Sequence, residues 1–146
     1  MANSQRDFTI SSVAELQSVV SYLKSLLSGR DVILLSGPMG VGKTEFVRAL
    51  VGNLHGENIT SPSFSIHNNY SAGKLSIDHL DLFRIEGDDD LESTGFWDLF
   101  NQPTGLILLE WSEKIDSEML PRNWKKLKIS IAFDEADLRK ISVSEI

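Results

Sequence analysis

Gly37-Pro38-Met39-Gly40-Val41-Gly42-Lys43-Thr44 spells G-x-x-x-x-G-K-[ST] without a mismatch. The apolar run Val32-Ile33-Leu34-Leu35 leads into it as a buried strand, and Phe46, Val47, Leu50, Val51 and Leu54 follow it at helical spacing. Strand, glycine-rich loop and helix in that order are the setting in which this string binds phosphate. Glycines at 37, 40 and 42 permit positive φ and close backbone approach, so successive N–H groups converge on phosphate oxygens at the positive end of the helix dipole. Lys43 is expected to reach the β- and γ-phosphates, and the Thr44 hydroxyl to ligate magnesium. The expected nucleotide cradle is therefore Gly37, Gly40, Val41, Gly42, Lys43, Thr44 and Glu45.

Outward from the loop, the 146 residues suffice for one α/β domain, 1–146, in which helices cover a central sheet. The expected architecture is a three-layer α/β/α sandwich of the phosphate-loop nucleoside-triphosphatase (P-loop NTPase) kind, with a mixed sheet and antiparallel hairpins. Upstream, Phe8-Thr9-Ile10 reads as a short strand. Ser12 and Glu15 form a capping-box pattern, Val13, Leu16, Val19, Val20, Leu23 and Leu27 mark a first helix, and Gly29 stands where a left-handed cap is expected. Downstream, Phe64, Ile66 and Tyr70 alternate, Ser71-Ala72-Gly73-Lys74 turns, and Leu75, Ile77 and His79 alternate back, which predicts a hairpin. A second hairpin is expected from Leu127, Ile129, Ile131 and Phe133 followed by Ile141 and Val143. Lys125, Lys126 and Lys128 before it read as a solvated face.

Leu106-Ile107-Leu108-Leu109-Glu110 is an apolar run ending in an acid, the form of a buried parallel strand whose carboxylate emerges at the edge where nucleotides bind. Glu110 is accordingly the acid expected in the magnesium shell, the alternative being an ordinary acidic residue that starts a loop. Trp111 follows as either core or a neighbour of the nucleotide. Asp78-His79-Leu80-Asp81-Leu82-Phe83-Arg84 gathers carboxylates, an imidazole and a guanidinium, either as functional groups or as solvated charges at a strand end. Asp88 to Glu92 charge the first turn of a short helix.

Fourteen basic against 21 acidic residues leave a net charge of −7, which argues against direct docking on a phosphate backbone. Without cysteine, disulfides and thiolate chemistry are excluded. Three histidines without an H-E-x-x-H string do not make a zinc site, and the acidic segment lacks the twelve-residue calcium pattern. The polar opening Met1 to Asp7 and the lack of a long apolar run lead to the expectation of a cytoplasmic protein without membrane contact.

Taken together, the phosphate loop, Ser61-Pro62-Ser63-Phe64, His79-Leu80-Asp81-Leu82-Phe83-Arg84, Leu91-Glu92 with Gly95, and Glu110-Trp111 occur in an order that resembles the TsaE (YjeE) family. The resemblance implies an ATPase of tRNA N6-threonylcarbamoyladenosine synthesis that acts with the TsaB–TsaD pair, which would be the component holding tRNA. It implies ATP and Mg2+ at the loop, Glu110 and Asp81 as catalytic residues, Thr44 and Glu110 as metal ligands, and a switch-like loop at Ser61. Departures from the family pattern are Pro38-Met39 for Asp-Leu, Ser63 for Thr, Phe83 for Tyr and Ser112 for Pro. None removes a group on which phosphate binding depends. Phosphate loop and size also permit a small-molecule kinase, though no arginine-rich lid is evident. Guanine recognition through N-K-x-D is absent, and a nucleotide-gated binding module is the third reading.

Overall fold

The computed structural model describes residues 5–55, 67–72 and 75–146. Its centre is one seven-stranded sheet in the order β1-β7-β6-β2-β5-β4-β3, built from β1 (Gln5–Ile10), β2 (Asp31–Ser36), β3 (His67–Ala72), β4 (Leu75–Asp81), β5 (Leu106–Glu110), β6 (Lys125–Phe133) and β7 (Arg139–Glu145). The four inner strands β6, β2, β5 and β4 run parallel. Antiparallel pairs β3–β4, β6–β7 and β7–β1 finish both edges, as the two predicted hairpins require. Phe64 and Ile66 of the first hairpin pattern, and all of Ser61-Pro62-Ser63-Phe64, lie outside the described residues.

Period-two alternation divides the apolar side chains between two faces. Ile33, Leu35, Ile77, Leu106, Leu108, Leu127 and Ile129 pack under α1 (Leu16–Leu26) and α2 (Lys43–His55), where Val19, Val20, Leu23, Phe46, Leu50 and Val51 are fully or almost fully buried. Val32, Leu34, Leu80, Ile107 and Leu109 face the other way, covered by Leu91 of α3 (Asp88–Ser93), by Phe96, Leu99 and Phe100 of a 3-10 segment, and by Trp124. The three-layer α/β/α expectation is therefore met. Among the described residues no helix is long and apolar enough to cross a membrane.

Local details correct several expectations. Ser12 makes no side-chain cap; instead the backbone N–H of Ser11 donates to Glu15 at 2.6 Å and its hydroxyl at 3.1 Å, because a 3-10 turn at Val13–Glu15 precedes α1 and moves the glutamate one residue out of register. Gly29 has φ 101° but sits in the loop after α1 has already ended, and the buried Asp31 carboxylate organises that loop by accepting from the N–H groups of Ser28 and Gly29. Nor are Lys125 and Lys126, the first two residues of β6, simply solvated, whereas Lys128 is exposed. Lys125 donates to the Leu26 carbonyl, and Lys126 to those of Pro121 and Trp124, their aliphatic stems lying along the protein.

Edge strand β3 is tied to β4 by a buried carboxylate. Asp78 lies 2.7 Å from His67 Nε2 and accepts from Asn69 Nδ2 at 3.0 Å. Burial pushes its pKa up, yet the hydrogen bonds from His67, Asn69 and Thr104 outweigh that and hold it below the ordinary 3.8. An acid with a depressed folded pKa contributes stability that is present above its unfolded value and lost as pH falls through the folded one. Thermal melts from pH 5 down to 2 are thus expected to show a shallower acid loss in Asp78→Asn than in wild type. Identical acid limbs would show that this carboxylate does not couple folding to pH.

Candidate functional site

Because the inner strands are parallel, their C-terminal ends share one edge of the sheet, and the residues leaving β2, β4 and β5 meet there. Register sets Asp81 opposite Glu110 and Leu35 beside Glu110. On β4 the row Ile77, His79, Asp81 faces α2, as does Leu106, Leu108, Glu110 on β5, so both acids emerge on the side where the glycine-rich loop turns into its helix.

That loop needs its glycines for two different reasons. A Cβ on Gly37 would stand 2.5 Å from the Ile131 carbonyl oxygen, so nothing larger fits against β6. At Gly40 and Gly42 space is open, but φ values of 79° and 116° place the backbone where L side chains are strained. Phe46 N–H donates to Gly42 at 3.0 Å as the first helical bond, leaving the N–H groups at the start of α2 directed outward at the positive end of its dipole.

Gly40, Gly42, Lys43, Thr44, Glu45, Asp81 and Glu110 line one open cavity of about 320 Å3 together with Met39, Phe83 and Trp111. Two expected cradle residues do not line it. Val41 turns its side chain into the core, and Gly37 is closed off by Ile131. Lys43 is 7% exposed; its ammonium donates to the carbonyls of Gly37 and Pro38 and lies 3.8 Å from the centroid of the Trp111 ring. Burial lowers its pKa, partly opposed by the charges of Glu110, Glu113 and Asp81. Trp111 thus belongs to the site and not to the core alone. It holds a left-handed backbone (φ 60°), which costs a non-glycine residue about 1–2 kcal/mol, and its ring packs 4.9 Å from the half-exposed Phe83. Lys114 fastens the segment after β4 by donating to the carbonyls of Phe83 and Ile85 at 2.6 and 2.9 Å.

Glu110 is 3% exposed, and its Oε2 lies 2.6 Å from Nε2 of the fully buried His79. Asp81 is partly exposed and accepts from the Phe83 N–H at 3.0 Å, which turns the chain out of β4. Arg84 is exposed and does not line the cavity; Lys43 is the only cation among the described residues that does. The sequence singles out the segment holding His79 but assigns that residue no role. Its alternation with Asp81 was a usable signal, but the adjacency of β4 and β5 was not.

A second cavity of about 290 Å3 abuts the opposite flank of the same loop, shares Gly40, Gly42 and Glu45 with the first, and is walled by Ile10, Val13, Leu16 and Ile141. Ser11, Ser12, Asp137 and Arg139 give it a polar rim, and Arg139 Nε donates to the Val41 carbonyl at 3.2 Å. No local motif foretold this wall, which forms only because β6 and β7 fold back beside β2.

Comparison with known proteins bears on the whole assembly. Residues 10–141 match the family model for "Threonylcarbamoyl adenosine biosynthesis protein TsaE". A tRNA threonylcarbamoyladenosine biosynthesis protein TsaE from Rickettsia conorii is 36% identical over 77% of this chain and 65% of its own length. The like-named protein of Rickettsia felis is 35% identical with 63% of its length covered, so the chain spans a little under two thirds of these two relatives. Coverage is fuller for the Aquifex aeolicus protein of that name, at 30% identity over 85% of this chain and 95% of the relative. In space, a crystal structure of YdiB from Bacillus subtilis superposes on all of this chain and 88% of its own with a TM-score of 0.75 at 27% identity. With its phosphate loop, its Glu110-Trp111 corner and a family match across nearly its full length, the chain belongs to the TsaE family.

Proposed function

We propose that this protein binds and hydrolyses ATP with Mg2+ in the cytoplasm, and that its nucleotide cycle serves tRNA N6-threonylcarbamoyladenosine synthesis by a TsaB–TsaD partner complex. The observation that carries the reading is the convergence of Lys43, Thr44, Asp81 and Glu110, drawn from α2, β4 and β5, on one open cavity beside a glycine cradle. The donor set suits the proposed ligands. Open space above Gly40 and Gly42 admits phosphate, and the hydroxyl of Thr44 with the carboxylates of Glu110 and Asp81 are hard oxygen donors of the kind Mg2+ takes.

In this mechanism the N–H groups of the loop hold the phosphates and Lys43 leaves the Gly37 and Pro38 carbonyls to neutralise them. Thr44 and Glu110 are the residues that would hold Mg2+, which supplies charge neutralisation across the β- and γ-phosphates when bound. Asp81, fixed by the Phe83 N–H, orients the attacking water, and Glu110 acts on the same reaction from β5. The apolar cavity on the other flank of the loop, lined by Val13, Leu16 and Arg139, would hold the base and ribose.

Among the described residues Lys43 is the only cationic side chain lining the cavity, so charge developing on the transferred phosphoryl meets no second cationic side chain among them. A contact of that kind is worth about 10³ to 10⁵ in rate. Hydrolysis by the isolated protein is therefore expected to be slow and to accelerate at least tenfold with the TsaB–TsaD pair, which carries the tRNA in place of this acidic chain. Steady-state phosphate release with and without the pair, run beside tRNA modification, checks this. Equal rates together with full multi-turnover modification in the protein's absence would defeat it and favour a small-molecule kinase.

A further inference from the structure

We infer that His79 is a positioning residue for Glu110. The inference rests on the proposed ATPase reading and extends it to a residue one strand away. Along the face of β4 that packs toward α2, Ile77 is buried in the apolar core, whereas the next residue on that face, His79, is an imidazole at 0% exposure. An imidazole in that place costs desolvation free energy that an aliphatic side chain avoids, unless it is hydrogen-bonded. Its partner is Glu110, with Oε2 at 2.6 Å from Nε2. An ionised carboxylate only accepts, so the ring proton belongs on Nε2, and Nδ1 then faces the Tyr70 hydroxyl at 3.5 Å, the outer limit of a hydrogen bond.

The consequence is geometric. A glutamate side chain turns about three bonds, so its place at the end of β5 does not by itself fix the orientation of the carboxylate. Donation from a ring immobilised in the core fixes one oxygen, and with it the plane in which the carboxylate meets the cavity that Lys43 and Thr44 also line. Outer partners that orient a functional carboxylate typically contribute ten- to a hundredfold to metal affinity or activity. His79 touches neither nucleotide nor water in this scheme; it acts through Glu110.

Two amide variants separate positioning from packing. In His79→Gln the amide nitrogen reaches the place of Nε2, while in His79→Asn the same group falls one methylene short. With the TsaB–TsaD pair present, His79→Asn is expected to lower kcat at least tenfold while KM and the calorimetric affinity for Mg-ATP stay within threefold. His79→Gln is expected to recover most of the loss, and the double variant with Glu110→Ala to be no slower than Glu110→Ala alone. Spectra of the nucleotide-free protein labelled with 15N-histidine supply a readout apart from activity, and because they need no variant they decide even where His79→Asn does not fold. They are expected to show the Nε2–H tautomer with a slowly exchanging proton. Equal kcat in the two amide variants, losses that add to that of Glu110→Ala, or an Nδ1–H tautomer would each overturn the inference alone. A wild-type protein that never hydrolyses ATP overturns the underlying reading first and leaves His79 no reaction to serve.

Discussion

Replacement of Lys43 by alanine is expected to weaken Mg-ATP binding at least tenfold. The ammonium is buried beside the loop it serves and already spends its protons on the Gly37 and Pro38 carbonyls, with the Trp111 ring beneath it. Moving to a phosphate exchanges neutral acceptors for charged ones, and a hydrogen bond to a charged group is worth about 1.5–3 kcal/mol net, or roughly ten- to more than a hundredfold in affinity. The exchange is assisted by burial, which lowers the lysine pKa and makes the ammonium gain from a stronger anionic partner. Alanine keeps the helix start, since Phe46 bonds to Gly42 whatever side chain stands at 43. The fold should accordingly survive, and a melting curve separates lost binding from lost structure. Calorimetric titration of Mg-ATP checks the expectation; unchanged affinity in a folded variant would remove the phosphate-loop assignment.

What could be read from sequence was whatever depends on neighbours along the chain. The strand before the loop, the helix after it, the second hairpin and the buried run ending in Glu110 all rest on local periodicity and stand where expected, as do the described residues of the first hairpin's two strands. The mixed sheet was legible in kind, because parallel strands flanking a phosphate loop and tight antiparallel returns leave different patterns. Contacts that depend on which strands become neighbours were not legible. Glu110 and His79 lie thirty-one residues apart, and only the pairing of β4 with β5 brings their side chains together. Likewise the flank beyond the loop combines Val13, Leu16 and Arg139 through the order β1-β7-β6-β2, which no single stretch encodes.

Errors of reading had equally physical causes. Adjacent hydroxyls at Ser11 and Ser12 made the cap ambiguous by one position, and the 3-10 turn decided for Ser11. Charge alone makes the lysines at the start of β6 look solvated, whereas a four-carbon stem lets Lys125 cross to the end of α1 and find a carbonyl there. The same limit applies to Lys114, whose hold on the Phe83 and Ile85 carbonyls was invisible from a position thirty residues away.

Glu110 is expected to matter for turnover far more than for holding nucleotide, and two substitutions test separate parts of that claim. Glu110→Gln keeps an oxygen that can accept from His79 Nε2 at the 2.6 Å contact but removes the charge, whereas Glu110→Ala removes both. Phosphate affinity rests on Lys43 and the loop N–H groups, so both variants should bind Mg-ATP within a few-fold of wild type. Hydrolysis should fall about a hundredfold or more in each, the scale for deleting one preorganised electrostatic group. Stability should separate them. Alanine leaves the fully buried His79 nitrogen without its carboxylate, a loss of about 1–3 kcal/mol, while glutamine holds the hydrogen bond and should melt close to wild type. The lower-melting alanine variant then identifies the structural share of the residue, and the rate defect common to both identifies the share that belongs to its charge. Phosphate release, calorimetry and thermal melts on the three proteins decide the matter. Normal turnover in Glu110→Gln would mean that the acid ending β5 serves the fold through His79 and takes no part in the reaction.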